Sequence, residues 1–334
     1  MTAEARAPGI TRRTVPERVR AHWETWRPYT TCYPALLGLA GVLAAGGRRP
    51  AEITVAVLAP VLGWISGHYL GDHFDRHLDA IAKPQRPIPS GRMSPAVALS
   101  AGIACATLSL AFSIALNWRV LPVFALAMGG IVAYSAVFKR LGFSGNLSRG
   151  VLSALALAIG AMTAAPWPPP ALAPVAVGLL LHDTASNLIG TVRDVDGDRA
   201  GGYRSVPVRH GVAAAVGLAS GLWLAGIAAI ALGSLVAARP VAQLSLAAVA
   251  AVIGGIALAV ARPVALTARR ALRSHELLVA ERLVLTSAVV AGAAGFGVAL
   301  PVLGPVLVFS LVLQGRMRSR HEFPDAPPNE GERP

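Results

Sequence analysis

Cysteine is almost absent from this 334-residue chain. Cys32 and Cys105 stand far apart, each inside an apolar run, which excludes a disulfide framework and a thiolate metal site and leaves two buried, inert thiols as the expectation. Lysine is equally scarce: Lys83 and Lys139 are the only two among thirty basic residues. Aromatic residues are too few to stack bases, and the basic residues are scattered among short loops. The net charge of +13 therefore reads as membrane topology, and no nucleic-acid partner is expected. Charge is thin throughout, with 14% charged against 54% hydrophobic residues and a mean hydropathy of +0.57, so a single water-soluble domain would lack the polar surface to dissolve. Residues 1–27 lack the compact apolar core and small-residue cleavage site of a signal peptide, and are expected to form a cytoplasmic arm.

What the chain has instead is nine apolar stretches, at roughly 30–46, 53–70, 95–116, 120–138, 150–165, 171–190, 212–236, 241–261 and 284–313. Several approach the ~20 residues that cross a bilayer as a helix. The fold class this implies is all-α, a polytopic membrane bundle of about nine transmembrane helices around a central cavity with cytoplasmic cap loops. The domain plan is an arm over 1–27, a membrane domain over 28–314 and a polar, Pro-rich, disordered tail over 315–334. With the N-terminus placed in the cytoplasm, the arm and the loops near 71–94, 139–149, 191–211 and 262–283 hold twenty-two of the thirty basic residues. The expected location is an integral membrane site, in a bacterial cell membrane, with the functional face toward the cytoplasm.

Two polar islands interrupt the apolar pattern. His68 to Pro95, HYLGDHFDRHLDAIAKPQRPIPSGRMSP, carries Asp72, Asp75 and Asp79 at spacings of three and four, one face of a helix. Asn187 to Gly211, NLIGTVRDVDGDRAGGYRSVPVRHG, carries Asp194, Asp196 and Asp198; together the islands hold six of the eight aspartates. They lie about 120 residues apart at the ends of the second and sixth stretches, as two related half bundles would place them. Carboxylates at the ends of membrane helices are costly unless a cation meets them. The cation that suits a few carboxylates plus substrate phosphate is Mg²⁺. The i, i+4 pairs Asp75/Asp79 and Asp194/Asp198 each offer two oxygens to one ion, and Lys83, Arg86, Arg204, Arg209 and Lys139 stand ready to clamp phosphate oxygens. The composite is a diphosphate site backed by an Ala-, Leu-, Val- and Gly-lined cavity suited to a long hydrocarbon.

At these motifs the chain resembles the UbiA superfamily of intramembrane prenyltransferases. GDHFDRHLDAIAKPQRPIPSG is similar to the family's first aspartate-rich signature and RDVDGDRAGGYRSVPVRHG to its second. WRPYT at 26–30 resembles the entry to the first span, and FKRLGFSGNLSRG at 138–150 the fourth-to-fifth loop, especially in members that use isoprenoid glycerol phosphate or quinone-type acceptors. The resemblance implies magnesium held by Asp75, Asp79, Asp194 and Asp198, supported by Asp72 and Asp196, with Lys83, Arg86 and Arg204 on the diphosphate. One departure stands out: Gly71 occupies the place where the family has Asn, four residues before Asp75. Asp72, His68 or Asn187, seven residues before Asp194, is positioned to compensate. The implied activity is transfer of an isoprenyl group from a prenyl diphosphate to a small aromatic, quinone-precursor or other lipophilic acceptor, with diphosphate release.

Other readings compete. A terpene cyclase of the same family would use the same site with no acceptor, and a transporter would need charges on more spans. His73 and His77 form an i, i+4 pair with no third soft ligand, so zinc is not expected. His182 and Asp183, inside the sixth stretch, read as polar groups tying helices together, the alternative being an acceptor-side base.

Overall fold

The computed structural model describes residues 15–263 and 266–322, and every long element among them is helical. Proline sets several helix starts, because its missing N–H costs nothing at the first position. Examples are α2 (Pro28–Ala44), α3 (Pro50–Ala82) and α4 (Pro95–Leu116), preceded by the short α1 (Val15–Trp26). There follow α5 (Leu121–Ala136), α6 (Phe143–Ala161), α7 (Ala173–Arg193), the six-residue α8 (Val195–Ala200), α9 (Val206–Gly233), α10 (Pro240–Val260), α11 (Ala268–Ala294) and α12 (Phe296–Glu322). By length and composition eight of these, α3, α4, α5, α7 and α9 to α12, are able to cross a membrane. Helices α2 and α6 are shorter or polar at one end but lie inside the same bundle. The protein is an integral membrane protein, an all-α bundle as its composition requires.

The last apolar stretch is two helices. Gly295, at φ 89°, takes a conformation that L side chains resist, and it ends α11 and reverses the chain into α12. The thirty residues from 284 to 313 thus end one span and begin another, and the last described turn of α12 returns to the end of the bundle that carries the aspartates. The boundary expected at 315 is corrected by the same observation. Residues up to Glu322 continue α12, and only 323–334 of the expected tail lie outside the described residues.

Helix α11 is the axis of the bundle, buried over most of its length and packed on α2, α7, α10 and α12. Helix α2 runs beside it and against α3 and α6, at very short range: a methyl group on Gly38 would collide with the carbonyl of Ala56, and one on Gly160 with the backbone of Gly38. Small residues let membrane helices approach this closely, which substitutes dispersion contacts for the hydrophobic drive that lipid removes. The outward faces of α4, α5, α9 and α10 expose Ile103, Leu126, Leu224 and Val252, the pattern of a lipid-facing surface.

Helix α3 carries the first aspartate island to the edge of the bundle. Its 33 residues rise about 50 Å, well beyond the ~30 Å of bilayer hydrocarbon, so its C-terminal turns emerge from the apolar layer. Lys83 precedes Pro84, which disfavours helical backbone, and the chain leaves α3 there into the Pro-rich segment 83–94. Ser94 then restarts the helix, its hydroxyl accepting from the Val97 N–H at 3.2 Å.

Candidate active site

A cavity of about 210 Å³ opens where the emerging end of α3 meets α2, α5, α6, α7, α11 and α12. Asp72 and Asp75 face it from α3, and Asp194 and Asp198 from the junction of α7 and α8. The islands, 120 residues apart in the chain, therefore share one space.

Four of these aspartates, Asp72, Asp75, Asp79 and Asp194, are met by cations. Lys139, on the turn between α5 and α6, places its Nζ 2.7 Å from Asp75 Oδ2. Arg86 donates from Nη1 to both oxygens of Asp79 at 2.9 Å. Lys83 reaches across to Asp194 at 3.2 Å, and Arg193 makes a two-point pair with the same Asp194 at 2.9 and 2.6 Å. Asp72 pairs with Arg27, whose left-handed backbone (φ 47°) joins α1 to α2. Such a conformation is unusual for a residue with a side chain and persists where surrounding contacts over-determine it.

Charge and burial set the protonation of this ring. Burial alone would raise the pKa of Asp194, but Arg193 and Lys83 outweigh it and hold the carboxyl well below its usual range. Asp198 has no such guard, and burial pushes it up to about 6. The Lys139 ammonium is buried as well, and Asp75 beside it more than restores its charge, raising its pKa.

The structure sorts the expected residues. It gathers Asp72, Asp75, Asp194, Asp198, Lys83, Arg86, Lys139, Asn187, His68 and Gly71 on the cavity. Asp79 is buried just behind the wall, under Arg86. Three expectations are corrected. Asp196 points away from the site with its side chain 89% exposed, paired to Arg199, because two residues along a helix turn a side chain to the far face. Arg204 and Arg209 are exposed and absent from the cavity wall. Arg204 sits in the short connection before α9, its N–H bound to the Arg140 carbonyl at 3.2 Å, while Gly211 (φ 84°) breaks α9 just beyond Arg209.

Other residues take their place. Arg193, Arg27, Arg149, Arg282, Arg318 and Glu322 all line the cavity and were not assigned from sequence. Arg193 had a signal in its position beside Asp194, and Arg27 in the WRPYT segment. Glu322 had only the excessive length of the last apolar stretch, which implies a second span and a returning end. His68 is held by the Trp26 carbonyl, 2.9 Å from its Nδ1. Asn187 accepts from Asn146 Nδ2 at 2.9 Å, which fixes its carboxamide on the wall.

Among the described residues no three His, Cys, Asp or Glu side chains already converge as an ion cage. Two oxygens nevertheless lie buried without a partner, Asp72 Oδ2 and Asp75 Oδ1, both on the cavity-facing side chains of α3. Hard carboxylate oxygens left unsatisfied beside a polar cavity fit a hard divalent cation.

Comparison with known proteins agrees with this geometry. The sequence profile of the UbiA prenyltransferase family matches residues 31–277. The digeranylgeranylglyceryl phosphate synthase of Natronomonas pharaonis is 34% identical over 209 residues, covering 61% of this chain and 74% of the relative. That of Methanopyrus kandleri is 31% identical over 209 residues, covering 60% and 74%. Among solved structures, the apo form of a UbiA homologue from Aeropyrum pernix K1 superposes with a TM-score of 0.68 at 19% identity, over 78% of this chain and 97% of that one. A UbiA homologue from Archaeoglobus fulgidus bound to GPP and Mg²⁺ gives 0.58 at 16% identity, over 90% and 99%. At those identities the structural likeness speaks for the fold.

Proposed function

The chain belongs to the UbiA prenyltransferase family, and we propose that it transfers a prenyl group from a prenyl diphosphate to a lipophilic acceptor bearing a phosphate, a prenylated glyceryl phosphate. The observation that carries the acceptor class is the charge of the cavity wall, where eight Arg and Lys side chains face six carboxylates. Among the described residues Arg149 pairs with none of those carboxylates; its guanidinium lies over the rings of Trp64 at 4.6 Å and Tyr134 at 5.8 Å. A neutral aromatic acceptor would leave that charge unmatched, whereas a phosphate would meet it. The relatives named digeranylgeranylglyceryl phosphate synthase point to the same class.

Asp75, Asp194 and Asp198 would hold magnesium, with Asp72 and Asn187 beside them and Asp79 joining once Arg86 turns to substrate. Magnesium supplies, when bound, positive charge at the leaving diphosphate. Lys83, Arg86, Lys139 and Arg193 take up the negative charge that grows as the bond between the allylic carbon and the diphosphate oxygen breaks. The allylic cation left behind lies in the space that Trp64 and Tyr134 line. The apolar wall of Ile131, Leu152 and Val279 keeps water from it until the acceptor oxygen attacks.

The cavity mouth is assigned to the cytoplasmic face. With α12 returning, only Arg48, Arg49, Arg119 and Arg239 among the described basic residues remain at the other end of the bundle, as the positive-inside rule requires. The test is product analysis in reconstituted membranes given geranylgeranyl diphosphate with and without geranylgeranylglyceryl phosphate. A magnesium-dependent diether formed only with the acceptor is expected. Cyclic hydrocarbon from the donor alone would replace the reading by a cyclase, and ligand movement across vesicles without diphosphate release by a transporter.

A further inference from the structure

Glu322 ends the last turn of α12 with its carboxylate inside the cavity wall, almost fully buried. Lys83 Nζ lies 2.7 Å from its Oε2, Arg86 Nη2 3.5 Å from the same oxygen, and Arg193 Nη1 3.1 Å from Oε1. Three cations from two regions of the chain thus converge on one anion supplied by a third. Their remaining partners are Asp79 and Asp194, both members of the aspartate pairs.

We propose that Glu322 occupies the seat of a phosphoryl group: Lys83, Arg86 and Arg193 form the cradle for the donor's diphosphate, and the Glu322 carboxylate fills that cradle until the donor displaces it. The inference rests on the prenyl diphosphate donor proposed above and adds two things to it. Arg193 becomes a diphosphate-binding residue, and α12 becomes an element that must move for each turnover.

Three observations favour exchange over a fixed structural role. First, the cradle is short of room for two anions. A diphosphate oxygen placed on the same three cations would lie within a few ångströms of Glu322 at low local dielectric, where like charges repel strongly. Second, the turn that carries Glu322 is partly exposed, and lightly packed turns open most readily. Its flanking Arg316 and Arg320 are exposed, and beyond the cradle its ties to other elements are Gln85 Nε2 to the His321 carbonyl at 3.1 Å and Arg318 Nη2 to His275 Nδ1 at 2.8 Å. Third, that turn is a partition. Arg318 and Glu322 face the aspartate cavity, while Arg316, Arg320 and His321 face a second space of about 480 Å³ between α1, the 83–94 segment and α12. Tyr29 and Arg86 border both spaces. Withdrawal of Glu322 from the cradle removes the wall between them and widens the mouth through which a prenyl diphosphate enters.

The test uses the full chain reconstituted in nanodiscs, with inorganic diphosphate and Mg²⁺ as the probe. Glu322→Gln keeps the shape and removes the charge. Its apparent Kd for diphosphate is expected to fall roughly tenfold, because a larger fraction of the protein then holds an empty cradle. In the unsubstituted protein, backbone amides of residues 318–322 are expected to exchange hydrogen faster when diphosphate is present. Equal or weaker diphosphate binding by Glu322→Gln overturns the inference, and so does unchanged exchange at saturating diphosphate, a readout that needs no variant to fold. Binding to neither protein would overturn the donor reading and this inference with it, whereas binding that ignores Glu322 overturns the inference alone.

Discussion

Lys139 Nζ sits 2.7 Å from Asp75 Oδ2, which ties the short turn between α5 and α6 to the aspartate face of α3. The ammonium also lies 5.8 Å from the centre of the Tyr203 ring, so the 201–205 connection packs over the same turn. A buried lysine held this way keeps its charge where a diphosphate oxygen arrives. Lys139→Gln is expected to raise the donor KM roughly 10- to 100-fold, the range of one charge-assisted hydrogen bond worth about 1.5–3 kcal/mol. Arg204→Gln and Arg209→Gln, exposed and off the cavity, are expected to stay within about twofold of the unsubstituted enzyme, since surface charges contribute little. Steady-state kinetics on the three variants decides between the sequence-derived clamp and the one the fold assembles.

The aspartates divide in the same way. Asp75 and Asp194 both face the cavity, and each is paired with a neighbouring cation. Asp75→Ala and Asp194→Ala are each expected to abolish diphosphate release in reconstituted membranes. Asp196→Ala, whose side chain is 89% exposed, is expected to leave it unchanged. Full activity in Asp75→Ala or Asp194→Ala would remove the metal assignment.

The pairing of the two islands was legible because the need for charge compensation is written in composition: carboxylates at the ends of apolar runs require cations, and the chain has only two aspartates elsewhere. Their helical faces followed from spacing on α3, where one long helix carries Asp72, Asp75 and Asp79. Asp196, given a supporting role by the resemblance and not by spacing, lies two residues from both Asp194 and Asp198 and so turns away from the face they share. The clamp was only half legible. Lys83 and Arg86 lie close after the first island's aspartates in sequence and Arg27 in the WRPYT segment, but Arg282, Arg318 and Glu322 come from parts of the chain with no motif for a site. Their place depends on how α2, α11 and α12 pack. Gly295 was the missed instruction: an apolar run of thirty residues hides a reversal that one positive-φ glycine makes possible.

Gly71 lines the cavity, and a side chain there has room. A Cβ at that position would meet only Ser135 Oγ, at 3.7 Å, an ordinary contact. Gly71→Asn therefore restores the family's amide without a backbone clash, one turn before Asp75. The expected outcome is retained or increased diphosphate release and a lower magnesium concentration for half-maximal rate. Severe loss would show that the open space at Gly71 is itself used by substrate.

Arg149 separates donor from acceptor. It contacts aromatic faces on Trp64 and Tyr134 and no carboxylate among the described residues, so its removal breaks no ion pair of the aspartate ring. Arg149→Gln is expected to raise the KM for a phosphate-bearing acceptor about tenfold or more, while the donor KM changes little. If the donor KM rises instead, Arg149 belongs to the diphosphate cradle and the acceptor phosphate must be sought elsewhere.

Deeper in the bundle, α7 and α11 are joined by two adjacent polar rungs. His182 pairs with Glu281, both fully buried, and Trp223 Nε1 approaches the other Glu281 oxygen at 3.4 Å. One residue along, Asp183 accepts from Arg282 at 3.1 Å and from Ser153 at 2.7 Å, and Arg282 stacks on the Tyr33 ring at 4.3 Å. Only the second rung reaches the cavity; the first lies behind it. Removing one member of a buried pair strands the other in an apolar interior, at a cost of about 3–5 kcal/mol, while replacing both by apolar groups of similar size is often near neutral. Glu281→Ala is therefore expected to lower the thermal midpoint of the solubilised protein sharply, with the folded fraction keeping its donor KM. The double variant His182→Leu, Glu281→Met is expected to recover most of the loss. Failure of the double variant to recover, with activity lost per folded molecule, would move His182 and Glu281 from holding the helices to serving the reaction.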